Sequence, residues 1–442
     1  MDNTTSFIPE QKPQFKALLP FFVFLIFYFG LSILRKDFYQ VPIITAFLVA
    51  SASALLLDRR KPLEEKVEIY ARAMGDSNIM IMCLIFILAG AFASTAKAMG
   101  AVDATVLIAR HLIPDQLMLA GFFLISCFIS LAIGTSCGTI AALAPIAVGL
   151  ITSLNIPPAL MLGAVIGGAM FGDNMSMISD TTIAATRTQC VSMRDKFLMN
   201  LKIIFPAAAA AVVLYLLSGR NAAAPAELPG FTMKNILTVL PYILVLAGAL
   251  AGGNVMLLLF SGTILAVIIG VSCGSFTFWT ALKEAGNGTL GMSETLIVAL
   301  LAGGLLGVIR HNGGIAYLLQ KIEKTVSGRR GCEAGIALLT AAVNLFTANN
   351  TVAIVITGPI AKMLSDKYKC DPRRIASILD TTSCVIQGVI PYGAQILIAT
   401  GIAAGSGIKI SPLELISNLY YPLLLGLAVI GAIVFSRSRK SC

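Results

Sequence analysis

Three aspartates, Asp173, Asp180 and Asp380, lie within long apolar stretches of this 442-residue chain. Their oxygens suit a hard cation such as Na⁺, and each carboxylate can also bind a proton. In an unbroken helix Asp173 and Asp180 would stand about 10 Å apart along the axis, too far to share a small ion. The sequence from Gly172 to Ser179 predicts a break between two half-helices, with Gly172 ending the first and Ser179 or Asp180 capping the second. Such a break directs backbone and side-chain oxygens toward one point.

Polar residues interrupt the apolar pattern at four places: 134–138, 172–176, 347–351 and 387–393. Non-helical backbone persists at membrane depth only where protein buries it or where it lines a polar cavity. We therefore expect the four breaks to form one binding site. Besides the aspartates, its candidate residues are Thr135, Ser136, Asn174, Ser176, Ser179, Thr181, Asn349, Asn350, Thr351, Thr381 and Gln387.

Several of these candidates could instead have a purely structural role. Asp180 could serve only as a helix cap, and Asp380 could be a buried, hydrogen-bonded structural acid. The polar residues at 135–136 and 349–350 could merely cap broken helices. Asp173 is harder to explain in this way, because it follows a glycine and has no basic neighbour in sequence.

The composition places these residues in a membrane protein. The chain is 57% hydrophobic and only 12% charged, whereas soluble domains are roughly 25% charged. Its apolar runs approach the ~20 residues that a membrane-spanning helix needs. The His-Glu-x-x-His and Walker patterns are absent from the sequence, so zinc proteolysis and ATP-driven pumping lack their residues. We predict an all-α polytopic protein in contact with lipid, without enzymatic activity, cofactor or nucleic-acid partner.

The two halves of the sequence repeat one another. Pro145-Ile146-Ala147 recurs as Pro359-Ile360-Ala361, 214 residues later, and the two pairs of polar breaks follow nearly the same offset. We predict two transmembrane repeats, each with about five crossings, one re-entrant hairpin and one broken helix. The predicted segments are a cytoplasmic segment 1–16, a first repeat 17–218 (hairpin 117–154, broken helix 158–190), a linker 219–230, a second repeat 231–436 (hairpin 332–364, broken helix 372–404) and a cytoplasmic tail 437–442.

An odd number of crossings in each half would invert the second repeat relative to the first. With both termini cytoplasmic, most of the 32 Lys and Arg residues fall on the cytoplasmic side, Lys196 among them. This agrees with the positive-inside rule. Charge bias does not distinguish a hairpin at 117–154 from two full crossings.

The strings Gly134-Thr-Ser-Cys-Gly-Thr-Ile140 and Phe171-Gly-Asp-Asn-Met-Ser-Met-Ile-Ser-Asp-Thr-Thr-Ile183 resemble the NhaC-type Na⁺/H⁺ antiporters of the ion transporter superfamily. The resemblance implies a homodimeric, elevator-like transporter of inverted repeats. It also implies that Asp173 and Asp180 bind Na⁺ and protons, and that Asp380 matches an acid of the second half. Met177 stands where the family has proline, and Tyr392-Gly393 stands where it has Trp-Asn. Ion selectivity and substrate identity therefore stay open.

Three hypotheses follow. The first is a Na⁺ (or Li⁺)/H⁺ antiporter of a bacterial inner membrane, multi-pass with both termini cytoplasmic, in which Na⁺ and H⁺ are the transported ions. The second is a Na⁺- or H⁺-coupled exchanger of an organic anion or amino acid, for example of the malate/lactate type. The third is a channel or a membrane scaffold, and the duplicated broken helices argue against it.

Overall fold

The computed structural model describes residues 12–31, 34, 42–57, 61–177, 179–219, 230, 232–251 and 253–435. Most of the predicted N-terminal segment, most of the linker 219–230 and the whole predicted tail 437–442 lie outside the described residues. The described chain is helical and contains no β-strand. The predicted all-α class is therefore confirmed for this part of the chain.

The described part of the first half begins with a 3₁₀ turn, Phe15–Leu18, and a π-helical turn, Ile26–Gly30, follows its first α-helix. The α-helices of its described residues are α1 (Leu19–Leu25), α2 (Ile43–Leu57), α3 (Leu63–Met74), α4 (Ser77–Met99), α5 (Ala101–Leu112), α6 (Met118–Ile133), α7 (Ser136–Leu154), α8 (Pro158–Met175), α9 (Asp180–Gln189) and α10 (Met193–Ser218).

The second half follows nearly the same succession of helices. They are α11 (Met233–Leu250), α12 (Val255–Ser272), α13 (Phe278–Gly291), α14 (Ser293–His311), α15 (Gly314–Thr325), α16 (Gly328–Thr347), α17 (Asn350–Lys367), α18 (Pro372–Val389), α19 (Ala394–Gly405), α20 (Pro412–Ser417) and α21 (Tyr420–Val434).

Seven helical segments of the described chain are long and apolar enough to cross a membrane, or up to eight if a bent pair at α5 and α6 counts as one span. The seven are Ile79–Met99, Ser136–Leu154, Pro158–Gln189, Met193–Ser218, Val255–Ser272, Phe278–His311 and Pro372–Gly405. Four shorter apolar helices accompany them. The fold is that of a multi-span membrane protein.

The connections at equivalent places in the two halves share a backbone conformation. Gly134, between α6 and α7, has φ of 75°, and Ala348, between α16 and α17, has φ of 47°. This left-handed conformation costs a non-glycine residue energy. Ala348 nevertheless adopts it, at the place where the first half has Gly134. Gly100 and Gly313 correspond in the same way, with φ of 91° and 83°.

The break in the first broken helix lies later than the sequence predicts. Gly172 does not end α8; the helix continues to Met175, and the Ser176 N–H still bonds to the Gly172 carbonyl at 2.7 Å. A Cβ at position 172 would lie 2.4 Å from the Ser130 Cβ of α6. The glycine is therefore needed for close packing of α8 on α6, and the described residues of the break, Ser176, Met177 and Ser179, lie outside both helices.

The helices around the breaks form the centre of the molecule. In the segment 158–189, which contains α8 and α9, 88% of the most apolar stretch is buried, against 28% in α12. Lipid is therefore the natural neighbour of α12, whereas α8 and α9 are enclosed by protein. This burial makes the polar side chains of α8 and α9 costly unless they are paired or bind a ligand.

Candidate functional site

Residues from both halves surround a central cavity of about 240 Å³. Both hairpin-like junctions and both broken helices contribute to it. Its polar lining residues are Thr135, Ser136, Asp173, Asp180, Thr181, Asn349, Asn350, Thr351, Gln387 and Gln395. The four predicted breaks are thus brought together. Among the described residues that line this central cavity there is no Lys or Arg, so its fixed charge is negative.

Asp173 is the buried carboxylate of the central cavity. It lies in the last turn of α8 and is 5% exposed. The Ser179 hydroxyl donates to its Oδ1 at 2.5 Å, and the Ser136 hydroxyl donates to its Oδ2 at 2.9 Å. The Asn350 amide reaches the same Oδ2 at 3.5 Å. These neutral donors favour the ionised carboxylate without adding a fixed positive charge beside it.

Asp180 lies across the break from Asp173. It is the first residue of α9, is exposed, and lines the central cavity. The predicted cap Ser179 does occupy the N-cap position, but its hydroxyl bonds to Asp173 and to the Thr181 hydroxyl at 2.9 Å instead of capping α9. Asp180 therefore adds its charge where α9 begins, which is a favourable place for an anion.

Asp380 does not line the central cavity and instead forms a buried ion pair. Its Oδ2 lies 2.7 Å from the Lys196 Nζ, and both side chains are almost completely buried. The Asn200 amide donates to the same oxygen at 2.8 Å. Because Lys196 and Asn200 belong to α10 and Asp380 belongs to α18, this pair joins the two halves. Removing one partner of such a pair leaves an uncompensated buried charge.

Lys196 also connects the ion pair to the first break. Its Nζ donates to the carbonyl of Asn174 at 2.8 Å and to the Thr182 hydroxyl at 2.6 Å. Asn200 donates to the same carbonyl at 2.9 Å. The polar ends of α8 and α9 are thus tied to one buried ammonium group. The sequence places Lys196 with the cytoplasmic basic residues, whereas the structure buries it beside Asp380.

The second junction presents amide side chains. Asn349 caps α17, since its Oδ1 accepts from the Val352 N–H at 3.0 Å. The Asn350 Oδ1 accepts from the Thr351 N–H at 3.0 Å, which leaves its amide group directed toward Asp173. Asn349 therefore has a capping role in addition to lining the central cavity, and Asn350 contributes to the hydrogen bonding of the carboxylate.

A chain of amides joins the second broken helix to Asp173. The Gln387 Nε2 donates to the Ala348 carbonyl at 3.0 Å and to the Gln395 Oε1 at 3.1 Å. The Gln395 Nε2 donates to the Ser136 hydroxyl at 3.0 Å, and Ser136 donates to Asp173. Gln395 was not among the sequence candidates. Its place in α19 matches Thr181 in the repeat, which is the signal that could have identified it.

Besides Ser179 and Asp380, three of the predicted residues, Asn174, Ser176 and Thr381, do not line the central cavity. The Asn174 side chain donates to the Tyr421 hydroxyl at 3.1 Å, while its carbonyl accepts from Lys196. Ser176 is buried in the break. Thr381 bonds back to the Ser377 carbonyl of its own helix at 2.7 Å. Lys196 and Asn200, which sequence reasoning missed, take larger parts in the polar network than Thr381 does.

The donor set suits an alkali cation. Carboxylate, hydroxyl and amide oxygens are hard ligands, and His and Cys ligands characterise transition-metal sites. Within the described residues, no group of three or more His, Cys, Asp and Glu side chains is placed to hold a metal ion. The central cavity therefore offers oxygen ligands and negative charge to a cation.

Known proteins resemble this chain over most of its length. A malate-2H⁺/Na⁺-lactate antiporter of Bacillus subtilis is 25% identical over 425 residues, covering 89% of each chain. The Na⁺/H⁺ antiporter NhaC of Alkalihalophilus pseudofirmus is 24% identical and covers 80% of this chain and 82% of its own. NhaC of Bacillus subtilis is 26% identical, with 80% and 84% covered.

Among solved structures, the YdaH transporter of Alcanivorax borkumensis aligns with a TM-score of 0.40 and 14% identity, covering 80% of this chain and 84% of its own. The sequence pattern of the Na⁺/H⁺ antiporter family matches residues 18–220 and 228–436. This match spans nearly the whole chain and includes both broken helices. The protein therefore belongs to the Na⁺/H⁺ antiporter family.

Proposed function

We propose that this protein is a secondary active transporter that exchanges Na⁺, or Li⁺, for H⁺ by alternating access. The observation that carries the proposal is the position of Asp173. Its carboxylate is buried where the breaks of both halves meet, and it accepts hydrogen bonds from hydroxyl and amide groups but forms no salt bridge among the described residues. Membership of the Na⁺/H⁺ antiporter family supports the same function.

Competition at Asp173 would couple the two ions. An ionised carboxylate attracts Na⁺ to the central cavity, while a protonated carboxyl is neutral and loses most of that attraction. A site that holds either ion, but not both favourably, binds a proton when it releases its cation. Moving this site between the two sides of the membrane would then link the two gradients.

The other acids have different roles in this proposal. Asp180 faces the central cavity and supplies further negative charge and an oxygen ligand for Na⁺. Asp380 already has Lys196 as its counter-charge, so we assign it to holding α10 and α18 together beside the first break. Asp380 then supports the cation site indirectly, through the backbone of Asn174.

The proposed topology consists of two inverted repeats with five crossings each, re-entrant hairpins at α6–α7 and α16–α17, and broken helices at α8–α9 and α18–α19. The matching order of helices and the shared left-handed junctions support this duplication. We further propose a homodimer in the cell's inner membrane with cytoplasmic termini. The dimer rests on the family resemblance, and the orientation rests on the positive-inside rule.

A second candidate function is the exchange of an organic anion. The relative named a malate-2H⁺/Na⁺-lactate antiporter covers 89% of this chain, and that similarity favours testing this class. The carboxylates of Asp173 and Asp180 in the described lining of the central cavity would, however, repel a dicarboxylate, and no Lys or Arg of that lining offsets them. Na⁺/H⁺ exchange therefore remains the principal proposal.

Purified protein in proteoliposomes separates these functions. With a preformed pH gradient, external Na⁺ should dissipate the gradient in wild-type vesicles, and Asp173→Asn should reduce the rate by about tenfold or more. In the second arm of the experiment, malate is supplied to vesicles with and without internal lactate. A Na⁺ response that appears only when malate or lactate is present would replace our proposal with the organic-anion function.

A further inference from the structure

The repeat places a neutral residue at the position equivalent to Asp173. The offset of 214 residues that joins Pro145 to Pro359 also joins Asp173 to Gln387. In the structure both residues lie in the last turn of the first helix of a broken pair, α8 or α18. Each also bonds to the hairpin-like junction of its own half: Asp173 to Ser136, and Gln387 to Ala348.

The second position retains a cation ligand but no charge. Gln387 is 2% exposed and lines the same central cavity as Asp173. Its amide nitrogen makes two hydrogen bonds, whereas its Oε1 is buried without a hydrogen-bond partner among the described residues. A buried carbonyl oxygen without a partner costs free energy, and a bound cation would satisfy it.

We propose that Gln387 is a specificity-determining residue that limits the number of cations bound in the central cavity. It keeps the half-site of the second repeat neutral, so that this half-site supplies an oxygen ligand to the cation without attracting a cation of its own. The inference rests on the proposed cation transport. Its physical basis is that the number of charged ligands largely decides how strongly a site holds a cation.

The test is equilibrium binding of ²²Na⁺ to purified protein at alkaline pH, with wild type and Gln387→Glu compared per chain. Glutamate has nearly the same shape as glutamine and adds one carboxylate. The variant should bind about one more Na⁺ per chain than wild type, because the repeat provides it with a site equivalent to that of Asp173. Gln387→Leu is the neutral control for loss of the two amide hydrogen bonds, and it should bind no additional Na⁺.

Asp173→Asn in the Gln387→Glu background locates the added ion, since this double variant should retain the extra site and lose the original one. Equal Na⁺ binding by wild type and folded Gln387→Glu would overturn the inference, as would an extra Na⁺ in Gln387→Leu. Either result leaves the proposed function intact if wild type binds Na⁺. Absence of Na⁺ binding by wild type would refute the proposed function itself.

Discussion

At the scale of single residues, the hydroxyl groups around Asp173 are as informative as the carboxylate. Ser179 and Ser136 each approach one of its two oxygens, and neither has a charge that would compete with Na⁺. A hydrogen bond to a charged group contributes roughly 1.5–3 kcal/mol. These serines therefore orient the carboxylate and stabilise its ionised form.

We predict that Ser179→Ala raises the Na⁺ concentration needed for half-maximal exchange by about tenfold, because the ionised carboxylate loses its shortest hydrogen bond. The measurement is the initial rate of Na⁺-dependent proton movement in proteoliposomes. Thr381→Ala is a matched control, since within the described part of the chain the Thr381 hydroxyl bonds only to its own helix. An equal effect of both substitutions would contradict the role assigned to Ser179.

Much of the polar lining of the central cavity was predictable because polar breaks in apolar stretches are rare and visible. Asp173, Asn350 and Gln387 were identified in that way. Lys196 was not, because it lies close to Arg187 and Arg194 in sequence and a charge pattern does not reveal which lysine turns inward. Lys196 pairs with Asp380 because α10 packs against α18. No local pattern in the sequence reveals that tertiary packing.

At the scale of helices, the buried ion pair and the close helix contacts hold the breaks in place. Lys196 of α10 bonds to Asp380 of α18, to the end of α8 and to the start of α9. Small residues let α8 approach α6. The unwound segments are therefore held by rigid neighbours on both sides, although they contain few backbone hydrogen bonds themselves.

We predict that Lys196→Met destabilises the protein by about 3–5 kcal/mol, because it leaves the Asp380 carboxylate buried without a counter-charge. Asp380→Asn in the same chain should restore most of that loss. Thermal unfolding in detergent measures both variants and the double variant. Equal stability of Lys196→Met and the double variant would show that the two side chains are not energetically coupled.

Gly172→Ala should cost about 1–3 kcal/mol, since the added methyl group meets the backbone and side chain of α6. Gly286→Ala is the matched control, because no atom of the described residues lies within 4 Å of a Cβ at that helical position. That substitution should be neutral or stabilising. Thermal unfolding of the two variants gives the comparison, and a loss no larger in Gly172→Ala than in the control would contradict the packing role.

At the scale of the whole molecule, the central cavity exists only where the two halves meet. The first half supplies Ser136 and Asp173, and the second supplies Asn350, Gln387 and Gln395. The repeat was visible in the sequence through the Pro-Ile-Ala match and the spacing of the breaks. The actual helix ends were less predictable, because Gly172 serves the packing of α8 on α6 and the helix continues past it to Met175.

If the repeats are inverted, α3 and α13 lie on opposite sides of the membrane. Glu64 and Lys283 are exposed residues of these helices. In a background without reactive native cysteines, we expect Glu64→Cys to react with an impermeant maleimide only from the cytoplasmic side and Lys283→Cys only from the opposite side. Labelling of both from one side would exclude the inverted arrangement.

Proton release on Na⁺ binding tests the central claim most directly. Purified protein in weakly buffered detergent solution near the midpoint of its pH response is mixed with NaCl, and a pH indicator records the protons released. The account predicts release of a fraction of a proton per wild-type chain, equal to the share of Asp173 carboxyls protonated at that pH, and none from Asp173→Asn, because the two ions compete for that carboxylate. Undiminished release from folded Asp173→Asn, or Na⁺ binding by wild type without any release, would contradict it.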